Sequence, residues 1–168
     1  MLLQRRAKGF TLVELLIVIA IIAILVAIAI PNLLSAIQRA KQRRTMSDMR
    51  TIATAWEARA VDMNRYNAAG GVEGASSPIM TSNLVAGLVP TYIRVVPIKD
   101  GWSKDFVFFS DSPWGASMPG IKYVIMSGGH DEVISPQVYT GAFTNYDCDI
   151  IYSQGTFLSF PEGFGQKN

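Results

Sequence analysis

An unbroken apolar run near the amino terminus, residues 15–30, constrains the fold of this chain more than any other feature. With the residues from Phe10 onward it forms a segment of 21 residues whose only charged side chain is Glu14. In a helix that rises 1.5 Å per residue, this length matches the roughly 30 Å hydrocarbon core of a bilayer. The sequence therefore predicts a membrane-spanning helix over residues 10–30.

Glu14 is unusual in this segment, because it places a carboxylate at the start of a membrane-length helix. On insertion scales an acidic residue at the helix centre costs roughly 2.5–3.5 kcal/mol, and less near an end. A buried charge is tolerated when it has a partner and is strongly unfavourable without one. Glu14 therefore requires compensation, and the residues before it indicate its source.

A short basic leader and a distinctive junction precede the apolar run. The junction reads Gly9-Phe10-Thr11-Leu12-Val13-Glu14. It resembles the type III signal peptide of the type IV pilin and pseudopilin superfamily. The resemblance implies that residues 1–9 are a leader, that prepilin peptidase cuts between Gly9 and Phe10, and that the new amino-terminal Phe10 is N-methylated.

The same resemblance implies a partner for Glu14. Cleavage would leave a positive amine on Phe10, about one helical turn from Glu14. In the family this glutamate pairs with the amino terminus of a neighbouring subunit during assembly. We expect the pair to select the stagger between subunits more than to add stability. The alternative is that Glu14 reaches the lipid headgroups and has no designated partner.

Two other interpretations of the amino terminus remain open. The Ala-Ile-Ala sequence at residues 27–29, with basic residues and an apolar stretch ahead of it, is typical of a secretory signal cleaved after Ala29. The mature protein would then be an ordinary soluble secreted domain. The segment could also be an uncleaved single-pass anchor, whose orientation charge alone does not fix because basic residues flank both ends.

The helical pattern continues beyond the apolar run to about residues 63–64. Pro31 removes one backbone hydrogen bond and is expected to kink the helix. Apolar residues then recur at near-helical spacing, so residues 31–64 form an amphipathic half that packs on other parts of the chain. These apolar residues are Leu34, Ile37, Met49, Ile52 and Trp56.

The remaining residues, 65–168, predict a globular domain with a small antiparallel sheet. Residues 68–78 have the composition of a loop, and a short helix is expected near residues 82–89. Strand-like runs separated by turn signals occupy residues 105–110, 121–126, 150–152 and 156–160. The predicted fold class is α+β, with a long N-terminal helical spine on which this antiparallel β-sheet domain packs.

Charge and reactive residues exclude several classes of function. The net charge is +2, and removal of the leader leaves 12 basic against 13 acidic residues, which gives no case for a nucleic-acid partner. The single histidine and single cysteine, His130 and Cys148, cannot by themselves build a His/Cys zinc site, and one cysteine cannot form an internal disulfide. Cys148 is expected to be a small buried residue, and we predict that the chain is not an enzyme.

The segment that ends in Asp100-Gly101-Trp102 resembles the globular domain of the major pseudopilin of type II secretion, which reads Asp-Pro-Trp-Gly at this point. Asp100 is expected to form a turn and Trp102 to anchor the core. The family's next landmarks, a Ser-x-Gly-x-Asp loop and a later Asp-Ile, bind calcium. The resemblance therefore implies Asp131 and Asp149, with Asp147 as a spare, as ligands of a structural Ca²⁺.

The connection between these calcium landmarks differs from the family pattern, since residues 133–140 replace a glycine-rich stretch. Solvated turn carboxylates therefore remain the alternative to a calcium site. The family's known assembly implies a single-pass precursor in the bacterial inner membrane. An inner-membrane platform and minor (pseudo)pilins then assemble it into a homo-oligomeric helical filament, periplasmic or extracellular.

Two kinds of subunit within the superfamily are candidates for this chain. The main interpretation is the major pseudopilin of a type II secretion system, which acts in protein export. The alternative is a type IV pilus subunit with a role in adhesion, motility or DNA uptake. The lack of a cysteine pair and the segment at residues 97–102 favour the pseudopilin, whereas the altered calcium loop weakens it.

Overall fold

The computed structural model describes residues 9–67, 79–112, 114–135 and 140–162, and within them the chain has the predicted α+β composition. The elements in chain order are α1 (Leu12–Met63), α2 (Thr81–Leu88), β1 (Val107–Ser110), β2 (Tyr123–Ser127), a 3₁₀ turn (Gly129–Asp131), β3 (Gly141–Phe143), β4 (Ile150–Ser153) and β5 (Thr156–Pro161). The chain divides into two compact units, one ending at Ile37 and the other beginning at Gln38. The predicted loop at residues 68–78 lies outside the described residues.

The first unit consists of the apolar part of α1. Its large apolar side chains, from Phe10 to Ile37, are 43–86% exposed. In the described ranges α1 is the one helix long and apolar enough to cross a membrane, judged by length and composition. Pro31 lies inside this helix, which is assigned as α-helical on both sides of it, and the kink stays a prediction. A continuous apolar surface of this kind needs lipid or partner helices to cover it.

The second unit begins with the amphipathic part of α1, whose buried face starts at Gln42. Residues spaced three and four apart line this face, as the sequence predicted for its carboxy-terminal part. They include Gln42, Thr45, Met46, Met49, Ile52, Ala53, Trp56 and Ala60. Leu34 and Ile37, which the same spacing assigned to the packed face, are exposed, because they precede this unit.

Trp56 is the centre of the core. It is fully buried and meets Phe108 edge-on at 6.2 Å between ring centroids and Tyr66 at 6.3 Å. Its indole Nε1 donates a hydrogen bond of 2.9 Å to the carbonyl oxygen of Tyr66. Each such aromatic pair contributes about 0.5–1.5 kcal/mol beyond burial alone. Trp56 thereby joins α1 to the sheet and to the segment that follows the helix.

The sheet has five strands in the order β1-β2-β4-β5-β3 and is mixed, which corrects the antiparallel sheet expected from the sequence. β1, β2, β4 and β5 pair antiparallel, whereas β3 pairs parallel to β5, with Gly141 opposite Ser159. Only three residues long and mostly exposed, β3 carries no alternation of apolar and polar side chains that could predict it. Its place depends on contact with β5.

The other predicted elements are confirmed to within two residues. α1 ends at Met63 and α2 lies one residue earlier than expected. β1 begins two residues late, because Asp105 instead forms an isolated bridge with Lys99 and the Phe106 amide donates to the carbonyl of Ile98. The approach to β1 is therefore a tight turn, and this turn carries the Asp100 segment.

Candidate functional site

The amino-terminal site is built from Thr11 and Glu14 at the start of α1. The Thr11 amide and hydroxyl donate to Glu14 Oε2 at 2.9 and 2.7 Å, and the Glu14 amide donates to Thr11 Oγ1 at 3.2 Å. This reciprocal arrangement is a capping box, in which two side chains satisfy backbone amides that have no partner within the helix. Sequence reasoning missed this role of Thr11, although the Thr-x-x-Glu pattern signals it.

The predicted cleavage junction lies just outside this capped end. Gly9 and Phe10 are exposed and precede the first helical residue, Leu12. An added Cβ at Gly9 would meet no atom within 4 Å. Accessible, non-helical backbone at Gly9-Phe10 suits a peptidase, and the helix that begins immediately afterwards carries the glutamate. Cleavage, methylation and the role of Glu14 remain predictions.

The Asp100 turn fastens the sheet domain to α1. Asp100 is 2% exposed, and its Oδ1 accepts hydrogen bonds from the amides of Trp102 and Lys104, each at 2.9 Å. Its other oxygen, Oδ2, accepts a 2.6 Å bond from the hydroxyl of Ser127. Trp102 is buried in the core. The predicted turn former and core anchor are both confirmed.

Gly101 brings this turn against the backbone of α1. Its amide donates to Thr45 Oγ1 at 2.9 Å, while the Trp102 indole donates to Gln38 Oε1 at 2.8 Å. An added Cβ at Gly101 would lie 2.4 Å from the carbonyl oxygen of Lys41. A backbone atom cannot move aside cheaply, so only glycine fits. Sequence reasoning identified neither Thr45 nor Gln38, since the contact joins residues far apart in the chain.

The predicted calcium landmarks lie on two loops that touch. The amide of His130 donates to the carbonyl of Tyr146 at 2.8 Å, and Gly129, at φ +68°, would place a Cβ 2.7 Å from the carbonyl oxygen of Cys148. The loop at residues 127–131 thus lies directly on the loop at residues 145–149. The structure brings the aspartates of both loops into one region.

Asp149 is the best-placed of these carboxylates for a cation. It is 7% exposed; Oδ2 accepts a 2.8 Å hydrogen bond from the Ser135 amide, whereas Oδ1 is buried and has no hydrogen-bond partner in the described part of the chain. Burial raises the pKa of the Asp149 carboxyl, and the charge of Asp131 raises it further. A buried carboxylate oxygen without a partner fits a bound cation.

The other two aspartates are engaged differently. Asp131 Oδ1 accepts the Val133 amide at 3.0 Å, and Asp147 Oδ1 lies 2.8 Å from His130 Nδ1. In residues 9–67, 79–112, 114–135 and 140–162 no three acidic, histidine or cysteine side chains form a group that could hold a metal. Backbone carbonyl oxygens would therefore have to complete any calcium site beside Asp131 and Asp149.

The polar residues near these loops do not form a catalytic triad. The Ser127 hydroxyl is bonded to Asp100, and His130 is bonded to Asp147. Serine and histidine thus have different partners, whereas a triad requires them to bond each other. Cys148 is half-buried rather than buried, which corrects the expectation from the sequence; burial still raises the pKa of its thiol.

Comparison with known proteins shows which family model and which proteins this chain is similar to. Residues 4–30 match the family model described as the prokaryotic N-terminal methylation motif. The chain is 28% identical over 131 residues to the type II secretion system core protein G of Escherichia coli, covering 75% of this chain and 83% of that protein. Against core protein G of Pectobacterium carotovorum it is 28% identical over 112 residues, covering 66% and 71%.

A type IV pilus protein is similar over a shorter length. The chain is 51% identical over 63 residues to the type IV wide pilus major component PilA4 of Thermus thermophilus, covering 38% of this chain and 48% of that protein. The chain thus spans about half the length of the pilus relative. No solved structure is significantly similar. A methylation motif, an exposed apolar helix and relatives of both kinds support a place for the chain in the type IV pilin and pseudopilin superfamily.

Proposed function

We propose that the chain is the major pseudopilin of a type II secretion system, a structural subunit of a filament that acts in protein export. The observation that carries this proposal is the extent of the similarity to core protein G. A match over 131 residues cannot be confined to the leader and α1, so it includes residues of the sheet domain. The relatives bear the names of structural components, which supports a mechanical role rather than a catalytic one.

The amino-terminal geometry supports the following proposed sequence of events. The precursor enters the bacterial inner membrane through the apolar part of α1, and prepilin peptidase cuts after Gly9. Phe10 then carries a methylated amine near the carboxylate of Glu14. The inner-membrane platform, with minor pseudopilins, assembles copies into a filament in which the apolar helices cover one another.

Glu14 acts in this assembly as half of an intersubunit ion pair. Within one chain both hydrogen bonds that Glu14 accepts from Thr11 end on Oε2. The capping box therefore holds the carboxylate at the end of the helix, where the amine of a neighbouring Phe10 can approach. In surroundings without water, an unpaired charge is costly and a paired one is tolerated. Correct stagger of neighbouring helices is thereby selected.

The mature amino terminus tests the proposal most directly. Co-expression with prepilin peptidase should yield a chain that begins with N-methyl-Phe10, because Gly9-Phe10 is accessible and immediately precedes α1. Mass spectrometry of the intact protein and its amino-terminal peptide makes the measurement, and expression without the peptidase is the control. A chain that begins at Ile30 would indicate a secreted soluble domain, and one that retains Met1 an uncleaved anchor.

A type IV pilus subunit is the second candidate, favoured by the 51% identity to the Thermus pilus component. Both candidates share the processing and the helix, so the mature amino terminus does not distinguish them. The effects of deleting the gene distinguish the two candidates. Deletion of a secretion pseudopilin leaves exported proteins inside the cell, whereas deletion of a pilus subunit removes surface pili and the adhesion, motility or DNA uptake that depends on them.

We further propose a structural calcium ion at Asp131 and Asp149. The buried, unpartnered Oδ1 of Asp149 supports it, as does the charge of Asp131 acting on the same carboxyl. Asp147 is not needed, since it is bonded to His130. The ion would hold the two touching loops together and relieve the cost of burying Asp149 as an anion.

Calcium should raise the melting temperature of the chain by about 5 °C or more when present at roughly a hundredfold excess over its Kd. Differential scanning fluorimetry with calcium or with a chelator measures the shift. Asp131→Asn and Asp149→Asn should remove it, while Asp105→Asn, at an exposed site distant in sequence, should keep it. An unchanged melting temperature at millimolar calcium would contradict the proposal.

The pH dependence without calcium follows from the raised pKa of Asp149. The folded-state pKa lies above the unfolded value, so the folded chain binds more protons between the two. Ionised Asp149 therefore lowers the free energy of unfolding at pH values above its folded-state pKa. This destabilisation disappears as the pH falls to the unfolded-state pKa. Asp149→Asn should remove this part of the pH dependence in chelator.

A further inference from the structure

A cluster of basic residues follows the apolar part of α1. Residues 38–50 hold five basic residues and one acidic residue, Asp48. Four of the five form a group that we call the basic collar: Arg39, Lys41, Arg43 and Arg44. Residues 51–168 hold seven basic and eleven acidic residues, so positive charge in the chain without its leader is concentrated at the collar.

The structure keeps the collar at the surface of α1. The side chains of its three arginines are exposed, and that of Lys41 is half-buried. The buried face of the helix here consists of Gln42, Thr45 and Met46. Arg44 Nε lies 3.5 Å from Asp48 Oδ2, yet its side chain is 69% exposed. The Asp48 side chain is 23% exposed, so only the arginine side of this pair is open to solvent, where a guanidinium with five N–H donors can contact a further anion. The collar side chains can therefore contact an external surface while the core of the second unit stays packed.

The collar lies just beyond the exposed apolar part of α1, near the outer edge of the headgroup region. It begins two residues after Ile37, where the exposed apolar side chains of the first unit end. From Leu12 to Ile37 the helix has 26 residues, and at 1.5 Å each they span about 39 Å. A bilayer measures about 30 Å across its hydrocarbon core and 40–45 Å with its headgroup regions.

We propose that the basic collar binds anionic phospholipid headgroups in the leaflet nearest the sheet domain, and so holds the inserted subunit at that surface before assembly. This inference rests on the proposed function, because it requires that α1 crosses the membrane. Guanidinium groups match phosphate oxygens in geometry and charge. Juxtamembrane basic clusters are attracted to anionic leaflets in the same way.

The collar also opposes insertion in the proposed orientation, since basic flanks favour the side from which the chain is inserted. Attraction to anionic headgroups on the far side offsets this penalty. A second copy of the chain is the competing occupant, because its sheet domain is acidic. Lipid is favoured because the collar directly follows the surface that lipid must cover. Binding of the collar to a second copy of the chain is one of the outcomes that the test distinguishes.

The test measures lipid selectivity at the surface of the full-length mature chain in phosphatidylcholine vesicles. Electron spin resonance of trace spin-labelled phosphatidylglycerol, compared with spin-labelled phosphatidylcholine, gives the relative association constant. At low salt we expect a preference of about threefold or more for the anionic lipid. At roughly 0.5 M salt, where screening acts within a few Å, the preference should fall toward equality.

A charge-matched pair of variants locates the effect. The collar variant R39Q/K41Q/R43Q/R44Q should lose the preference, while the control R94Q/K99Q/K104Q/K122Q, which removes four cations elsewhere, should keep it. Carbonate extraction confirms insertion of each chain, and near-ultraviolet circular dichroism confirms its fold. The salt dependence of the unmodified chain needs no variant and tests the proposal even if the collar variant misfolds.

The outcomes separate the collar from the proposed function. An inserted chain without lipid preference, or a preference that survives in the collar variant, overturns the collar's role and leaves the filament subunit intact. If the collar variant keeps its lipid preference but fails to assemble, the collar binds a second copy of the chain. That result also overturns the proposal that the collar binds lipid. A chain that does not insert overturns the proposed function itself.

Discussion

Glu14→Ala should abolish incorporation into filaments while leaving membrane insertion intact. The substitution removes a carboxylate from the apolar segment, so insertion becomes easier by up to a few kcal/mol. In the filament it leaves the amine of a neighbouring Phe10 without its partner. Breaking a buried pair in this way costs about 3–5 kcal/mol, more than a hundredfold in the association constant of each contact. Sedimentation of sheared filaments, with carbonate extraction of membranes, measures both effects.

Two variants separate the charge of Glu14 from its capping role. Glu14→Gln keeps an oxygen that can accept the Thr11 hydrogen bonds but removes the charge, and it should fail to assemble as well. Thr11→Ala weakens the capping box, at a cost of about 1 kcal/mol, and keeps the charge, so assembly should be reduced far less. Normal filament yield from Glu14→Ala or Glu14→Gln would contradict the ion-pair mechanism.

Gly101→Val should destabilise the sheet domain by about 3 kcal/mol or more, beyond the usual range for overpacking. The Cβ would lie 2.4 Å from the carbonyl oxygen of Lys41, so the turn would have to move away from α1. That movement would also break the hydrogen bond from the Gly101 amide to Thr45 and the one from Trp102 to Gln38. Urea unfolding of the full chain in detergent, followed by tryptophan fluorescence, measures the loss.

Gly87→Ala provides a control at a second closely packed glycine. Gly87 lies in α2, and its added Cβ would meet the side chains of Arg59 and Trp114 at 3.1 and 3.2 Å. Side-chain atoms can shift by a few tenths of an ångström, and alanine gains helix propensity, so the net change should stay within about 1 kcal/mol. Equal, small effects of both substitutions would show that the Gly101 turn does not depend on its contact with α1.

The elements with strong local patterns could be predicted from the sequence, and those fixed by partners could not. The end of α1 and strands β1, β2, β4 and β5 follow from apolar periodicity and turn residues, to within two residues. β3 has no such pattern, because its pairing with β5 supplies its stabilisation. Periodicity also assigned Leu34 and Ile37 to a packed face, but both side chains are exposed in this structure.

The candidate sites divide in the same way. Glu14 was recognisable because a charge inside an apolar run is costly wherever the chain folds, and Asp100 and Trp102 were recognisable as turn and anchor. The bonding of Asp147 to His130 depends on how two loops that are distant in sequence meet. The same is true of the unpartnered oxygen of Asp149.

The sequence by itself determined the apolar helix and the problem that Glu14 poses, and it predicted cleavage at the Gly9-Phe10 junction. Hydrophobic length and charge act on a segment without reference to the rest of the chain. Only the tertiary structure decided which positions must be glycine. It also decided which carboxylate oxygen is buried without a hydrogen-bond partner among the described residues, and in what order and direction the strands pair. Those properties arise from close contacts between residues far apart in sequence, such as Gly101 with Lys41 and Gly129 with Cys148. Such contacts leave no periodic trace along the chain.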